Sequence, residues 1–366
     1  MPKVLIVIAR LNVGGTAQYI AELVKGLAPY KYEVVVATGH VQGAEVEDAV
    51  VASLPIVRIP NMGRRISLFA DLKARRELKK VIAEFEPDLI YSHTFKAGLL
   101  ARSFKVSVPR VHAFHGHLLS EPELQGFKSR IVVLIERFLA ARAVKLVTVG
   151  KKVAHELLEE GVGKPSQYLS IAPGVRPLEL EDRYEALKSL GLVDEVKPIV
   201  VWMARVTAVK APMRVVETAK AIPEARFLLA GGGDLLDEVK KSVPDNLNVL
   251  GWQSASKMWA VADLAISTSE NEGMPVALIE AQLAGIPVVG LDVGSASEVI
   301  ADGKTGYVFE EFGTEFIEQV RDLVSVAKKQ ELQALGNAAR LRARIEFSPE
   351  QLINSHLTLF EEILSR

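Results

Sequence analysis

The sequence predicts an α/β protein of two doubly wound, Rossmann-like domains, and three observations carry that expectation. At 366 residues the chain has room for about two domains of ordinary size. Short β-branched runs alternate with longer amphipathic stretches, the pattern of βαβ units with right-handed crossovers. After Pro173-Gly174 the alternation starts again, so architecture repeats although no sequence period does.

In the first half, strands are expected at 4–9, 33–37, 56–59, 89–92, 110–114, 145–148 and 169–172. These runs lack polar–apolar alternation, which suits strands covered on both faces of a parallel sheet. Helical periodicity marks 18–27, 71–85 and 130–141. A charged stretch, 179–188, leads to a second series of strands at 198–202, 226–230, 248–250, 264–268 and 287–290. A last helix is expected at 350–364, with Ser348 as N-cap and Pro349 in the first helical position. The expected domains are 1–174, with the terminal helix 350–366 packing back on it, and 175–349. Two such domains would face one another across a cleft at the carboxyl ends of their sheets, where ligands of these folds bind.

Composition narrows the function. The chain is 49% hydrophobic and 24% charged, as ordinary globular proteins are. Lys and Arg number 44 against 45 Asp and Glu, so no global basic field invites nucleic acid. The absence of cysteine excludes disulfides, thiolate metal centres and a cysteine nucleophile. No apolar run reaches the roughly 18 residues of a membrane span. The run 4–9 is too short for a signal-peptide core and reads as a buried strand; a cytoplasmic protein is expected, a setting that the absence of cysteine allows without demanding.

The strongest chemical signal follows the strand 264–268. It reads Ser269-Glu270-Asn271-Glu272-Gly273-Met274-Pro275 and opens a helix that carries Glu280. With Pro275 at the first helical position, the loop would offer backbone N–H groups and a helix dipole to a phosphate. Carboxylates are odd neighbours for an anion, yet Glu272 and Glu280 suit hydroxyl groups, which donate to them. A nucleoside-diphosphate sugar presents both chemistries. A solvated acidic loop with one ordinary helical Glu fits the spacing equally well. Arg205 and Lys210 stand just after the strand 198–202, where two cations could hold a leaving diphosphate in place of a metal. A surface pair of basic residues would look the same.

Gly14-Gly15 follows the first strand and precedes a helix, but it is not G-x-G-x-x-G, so a dinucleotide fingerprint fails. His112, His115 and His117 have the spacing H-x-x-H-x-H at a strand end, a geometry that does not oblige them to converge on a metal. No metal is read there, and His40, His93, His155 and His356 receive no role. Asp-x-Asp is absent throughout.

Glu272 and Glu280 in the frame E-x7-E, with Gly273 and Pro275, resemble the donor-site signature of the family-four retaining glycosyltransferases of GT-B fold. Arg205 with Lys210, Gly231-Gly232-Gly233-Asp234, Pro173-Gly174-Val175, Asn12-Val13-Gly14-Gly15 and Phe114-His115-Gly116-His117 resemble further positions, in the family's order. The resemblance implies a GT-B transferase moving a sugar from a nucleotide donor, a UDP-sugar, to an acceptor hydroxyl with retention and without a metal or other cofactor. The first domain would take the acceptor and the second the donor. Glu272 would meet sugar hydroxyls and Glu280 the ribose, with Arg205 and Lys210 on the diphosphate. Gly14, Gly15, Gly232, Gly233, Gly273, Met274 and Pro275 would line the nucleotide sugar, although a tight turn after 227–230 needs its glycines in any case and Gly14-Gly15 also fits a turn with no ligand. Trp252 could meet the base, or be a core residue. His115 would lie against the sugar, with His117 the alternative if the register is off.

Two competitors share the architecture. A UDP-sugar 2-epimerase would convert its substrate with no acceptor present, and an inert sugar-nucleotide-binding scaffold would not need the full set of Arg205, Lys210, Glu272, Glu280 and His115. The stretch 64–80 holds seven cations against Asp71 and Glu77, with Ile66, Leu68 and Phe69 at its start. This fits a solvated helix whose stem packs on the sheet as well as it fits contact with an anionic membrane surface. The resemblance, whose members often use a lipid-linked sugar, implies the second, with a lipid-linked acceptor at the inner face of the membrane, as in cell-surface polysaccharide synthesis.

Overall fold

The computed structural model describes residues 1–43, 45–63, 67–116 and 127–365. The chain divides into two compact units, Met1–Gly174 with Pro349–Arg366, and Val175–Ser348.

In the first unit, β1 (Lys3–Ile8), β2 (Glu33–Thr38), β3 (Ile56–Arg58), β4 (Leu89–His93), β5 (Arg110–Phe114), β6 (Lys145–Thr148) and β7 (Tyr168–Ser170) form one parallel sheet. Its order is β3-β2-β1-β4-β5-β6-β7. The connecting helices are α1 (Gly15–Leu27), α2 (Leu68–Phe85), α3 (Phe95–Arg102), α4 (Phe127–Ala140) and α5 (Lys151–Glu159). Val4 to Ile8 of β1 are all buried, because helices cover both faces of a central parallel strand. On one face Leu5, Val7 and Ile90 pack against Ala74 and Leu78 of α2 and Ala97 of α3. The strand order reverses between β1 and β4, whose last residues, Ile8 and His93, are paired. Their carboxyl ends therefore mark the point where such sheets bind ligands.

The second unit repeats the plan. Its strands are β8 (Ile199–Met203), β9 (Arg226–Ala230), β10 (Leu247–Gly251), β11 (Leu264–Ile266), β12 (Val288–Leu291) and β13 (Gly306–Phe309), in the order β10-β9-β8-β11-β12-β13. The helices are α6 (Arg183–Ser189), α7 (Pro212–Ala221), α8 (Leu236–Lys240), α9 (Ala255–Val261), α10 (Val276–Ala284), α11 (Ala296–Val299), α12 (Thr314–Leu323) and α13 (Lys329–Glu346). Trp202, Phe227, Leu229, Val215 and Phe316 belong to its core. Here the switch point lies between β8 and β11. The last helix, α14 (Pro349–Leu364), belongs to the first unit and packs on α1. A side chain at Gly26 would place Cβ 2.2 Å from Ile353 Cδ1, so glycine lets α14 approach this closely with Ile353 in its present rotamer.

Three details differ from the sequence reading. The strand series continues past Gly290 to β13, a four-residue edge strand beginning on Gly306 with φ +152°, which reads as a turn in sequence. Pro275 caps α10 instead of opening it, because its ψ of 99° is extended. Helices α1 and α2 begin at Gly15 and Leu68, ahead of residues 18 and 71. In α1 two small residues and Thr16 open the helix, and in α2 the apolar residues of the first turn, Leu68 and Phe69, face solvent, so neither start shows the amphipathic period.

Candidate active site

In the second unit the predicted residues gather at the carboxyl end of the sheet. The short helical turn Ala208–Lys210 follows β8 and ends on Lys210, before Ala211 turns into the left-handed region at φ 47°. That conformation costs an ordinary residue about 1–2 kcal/mol, and a buried hydroxyl holds it. Thr268 Oγ1 accepts from the Trp202 indole at 3.0 Å and faces the carbonyls of Lys210 and Ala211, each at 3.2 Å. Arg214 clamps the same loop from α7, donating to Thr268 O and to Glu270.

Lys210 Nζ donates to Glu272 Oε1 at 2.5 Å, and Ser269 Oγ donates to the same oxygen at 2.7 Å. Two residues expected to serve different parts of a donor thus meet one another. Arg205 is exposed and its side chain makes no hydrogen bond or ion pair among the described residues. The backbone beyond Glu272 is fixed by Gly294, which sits at φ +52° with its Cβ position 1.7 Å from Glu272 O. Ser295 N then donates to Gly273 O at 2.8 Å. The amides of Gly273, Met274, Val276 and Ala277 make no hydrogen bond among the described residues, so the start of α10 presents free donors beside Lys210 and Glu272.

Glu280 lies on α10 and is mostly buried. Burial pushes its carboxyl up to about 7, with the neighbouring Trp259 indole acting the other way. That indole N–H has no well-formed hydrogen bond among the described residues. The glycine turn has both readings at once. Cβ positions at Gly231 and Gly233 would lie 1.8 Å from Ala204 O and 2.3 Å from Val206 O, so packing alone requires glycine at both. At Gly232 the obstacle is Trp252, 2.4 Å away at its indole nitrogen. The Gly232 amide is buried and unbonded among the described residues. Trp252 itself is 62% exposed, which removes the core alternative.

The first unit holds a different constellation. Gly14, at φ +150°, starts α1, and Gly15 is its first residue. One turn on, Tyr19 meets the ring of His115 edge-on with centroids 5.0 Å apart. His115 follows β5, is partly buried, and its Nε2 lies 2.9 Å from Nδ1 of His93. Burial pushes His115 down to about 4 and His93 well below the usual histidine range. His356 of α14 completes the cluster, its Nε2 within 3.3 Å of the Tyr19 hydroxyl and 3.2 Å of the Tyr91 hydroxyl. His112 points elsewhere, to Ser92 Oγ at 2.9 Å. His117 lies outside the described residues. Sequence reasoning gave His93 and His356 no role. For His93 a signal existed, because it ends the central strand β4; for His356, across 337 positions from Tyr19, there was none.

Of the basic stretch 64–80, Arg64, Arg65 and Ile66 lie outside the described residues. Leu68 and Phe69 are 80% and 84% exposed at the start of α2. Lys73, Arg76, Lys79 and Lys80 are exposed beside them, while Asp71 pairs with Lys96 and Glu77 bonds Asn61. On α4, Ile131, Leu134 and Phe138 are also exposed, along an apolar groove of about 500 Å³ completed by Leu99 and Arg142. No described helix is long and apolar enough to cross a membrane.

Residues 14–174 match the glycosyl transferase 4-like domain, and residues 185–342 match the glycosyl transferases group 1. Among relatives, the chain is 24% identical to the UDP-Gal:alpha-D-GlcNAc-diphosphoundecaprenol alpha-1,3-galactosyltransferase of Escherichia coli, over 69% of this chain and 70% of that protein. It is 30% identical to the N-acetyl-alpha-D-glucosaminyl L-malate synthase of Bacillus anthracis, over 47% of each. The chain spans about half the length of several other relatives, 54% for the sulfoquinovosyl transferase of Arabidopsis thaliana. Among solved structures, the sucrose-phosphate synthase of Thermosynechococcus elongatus superposes with a TM-score of 0.85 at 16% identity over the whole of both chains. Anabaena HepE in complex with UDP-glucose does so with a TM-score of 0.80 at 18% identity, over 98% of this chain and 99% of that one.

Proposed function

The chain belongs to family four of the GT-B glycosyltransferases, and we propose that it moves a sugar from a UDP-sugar to an acceptor hydroxyl with retention at the anomeric carbon. One observation carries this: the Lys210–Glu272 pair set against the free amides that open α10. A diphosphate would compete for Lys210 and the amides, and sugar hydroxyls for Glu272, so one ligand replaces both halves of the ion pair. Arg205 adds a second cation. Charge-assisted bonds of this kind contribute about 1.5–3 kcal/mol each, and they strengthen as the bond to phosphate breaks and charge develops on the diphosphate. Glu280 would take the ribose hydroxyls and Trp252 the base, while Gly14, Gly15 and His115 supply the first unit's contacts. Two cations and a helix terminus do for the departing charge what a divalent ion does elsewhere. No cofactor is needed for this chemistry.

Retention follows if the acceptor attacks from the face the diphosphate leaves, the phosphate oxygen taking its proton. The test is a mass-spectrometric screen of nucleotide sugars with and without prenyl-diphosphate acceptors. Conversion of a UDP-sugar with no acceptor would replace the transferase reading with an epimerase.

The acceptor side rests on α2 and α4. Exposed Leu68, Phe69, Ile131, Leu134 and Phe138, with the exposed cations of α2, fit an anionic lipid surface and a lipid-linked acceptor at the inner face of the membrane. Each cation near such a surface contributes about 1 kcal/mol. Sedimentation with anionic and with neutral liposomes decides it, and equal, negligible binding to both at low salt would point to a soluble acceptor.

A further inference from the structure

We infer that His93 is a positioning residue that fixes His115 as a hydrogen-bond donor and denies it the role of base. This rests on the reading that His115 meets the donor sugar. His93 is wholly buried at the end of β4, with the Tyr91 ring tilted against it at a centroid distance of 4.2 Å and Tyr19 edge-on at 6.2 Å. The next residue, Thr94, is held at φ 67° and ψ 157°, a conformation that a β-branched residue adopts only where its surroundings impose it. Thr94 N donates to Ala113 O at 3.3 Å, which ties the end of β4 to β5, the strand that leads to His115.

The bond between His93 Nδ1 and His115 Nε2 is 2.9 Å long and can hold one proton. Two imidazoliums would set two N–H groups head to head, and burial already drives both rings towards the neutral form. Two arrangements remain. If His115 donated from Nε2, His93 would carry its own proton on its Nε2, which is buried with no partner among the described residues. If His93 donates from Nδ1, its Nε2 carries only a lone pair. Orphaned buried N–H groups are rarer than orphaned acceptors, so the second arrangement holds.

His115 then accepts at Nε2 and has its proton on Nδ1. It can donate one hydrogen bond to a sugar oxygen, but no lone pair is left to take a proton from the acceptor. In the transfer, the acceptor oxygen bonds to the anomeric carbon, the bond from that carbon to the phosphate oxygen breaks, and the acceptor proton leaves with the diphosphate. The imidazole stays neutral throughout and contributes a directed dipole.

The experiment is long-range proton–nitrogen NMR of the full-length protein with ¹⁵N-labelled histidine, assigned with His115→Gln and His93→Asn. The expected result is His115 protonated at Nδ1. His93→Leu removes the donor; kcat/KM falls by roughly tenfold, the cost of one misdirected hydrogen bond, and the His115 tautomer changes. His93→Asn, whose amide nitrogen stands where Nδ1 stood, keeps the tautomer and recovers most of that loss. A proton on His115 Nε2 in the unmodified protein overturns the inference. So does an Asn variant as impaired as the Leu variant with its tautomer intact, which would make His93 a packing residue. Normal turnover by His115→Gln instead removes the sugar contact itself, whichever nitrogen carries the proton.

Discussion

The two units use one architecture to hold opposite kinds of site. In the second unit the chemistry is ionic and local. Glu272 accepts from both Lys210 and Ser269 within two loops at the end of the sheet, Arg205 stands free among the described residues, and the unbonded amides that open α10 follow Glu272 in the chain. In the first unit it is neutral and assembled from afar, with Tyr19 from α1, Tyr91 and His93 from β4, His115 after β5 and His356 from α14. Burial keeps those imidazoles uncharged. A charged site remains partly solvated and holds its ions by pairing them, whereas a buried one must shed charge. The ionic site suits a diphosphate, and the neutral one suits directed hydrogen bonds to hydroxyls.

The sharpest way to break this contrast is to remove a charge. Lys210→Ala is expected to lower turnover by about 10²–10³, the effect of losing one transition-state electrostatic donor. Steady-state kinetics on a variant shown by circular dichroism to be folded would measure it. Near-normal turnover would mean that Lys210 serves only to neutralise Glu272.

The same contrast explains what the sequence disclosed. Glu272 and Glu280 lie within eight positions of one another and Arg205 and Lys210 within five, so spacing alone could present them as sets. Most strands were legible for a similar reason: buried parallel strands are short unbroken apolar runs, and Arg110–Phe114, Lys145–Thr148 and Arg226–Ala230 stand where the sequence puts them. Thr268, which holds the turn at Lys210, looks in sequence like one more strand residue. Trp259 beside Glu280 and His356 beside Tyr19 become neighbours only once helices pack. Nothing local marks such a pair.

Glu280 is the exception within the ionic unit, a carboxyl that burial treats as the first unit treats its histidines. Its value is raised to about 7 in the fold from about 4.5. The stability it contributes is therefore present in full below pH 4.5 and is lost as pH rises through 7. Glu280→Gln should match the parent protein at pH 4 and exceed it at pH 8 by about 1–3 kcal/mol in urea unfolding. Donor binding should move the other way. If the carboxylate accepts from ribose hydroxyls, the variant loses roughly tenfold in affinity at pH 8 and the rise of parent affinity through pH 7 disappears. A variant that gains stability without losing affinity would make Glu280 a buried residue with no part in the donor site.

The glycine turn can be split into its two readings. Gly233→Ala drives a methyl into backbone, 2.3 Å from Val206 O, and should cost about 1–2 kcal/mol of stability. Gly232→Ala meets only the exposed indole of Trp252, which can swing away. Its stability should change by less than about 0.5 kcal/mol, while the KM for the donor rises several-fold as Trp252 is displaced. Equal donor KM in Gly232→Ala and the parent would leave these glycines to packing alone.

The smallest effect is expected from chelation. The departing diphosphate needs positive charge close by at the moment the bond breaks, and a divalent ion held by carboxylates is one way to supply it. In the second unit the carboxylate best placed to hold such an ion, Glu272, already accepts from Lys210 and Ser269. On the proposed reading the charge comes from the side chains of Lys210 and Arg205 and from the amides of Gly273, Met274, Val276 and Ala277. A lysine and an arginine are fixed in the chain and are not removed by a chelator. Transfer should therefore proceed at the same rate, within error, before and after exhaustive dialysis against EDTA. The assay should be repeated with Lys210→Ala, where the cation is gone. If magnesium or manganese restores activity to dialysed parent protein, the ionic site works through a metal and the assignment of Lys210 to the diphosphate fails. If the metal ions help only the Lys210→Ala protein, they are standing in for the missing ammonium, and the assignment is strengthened.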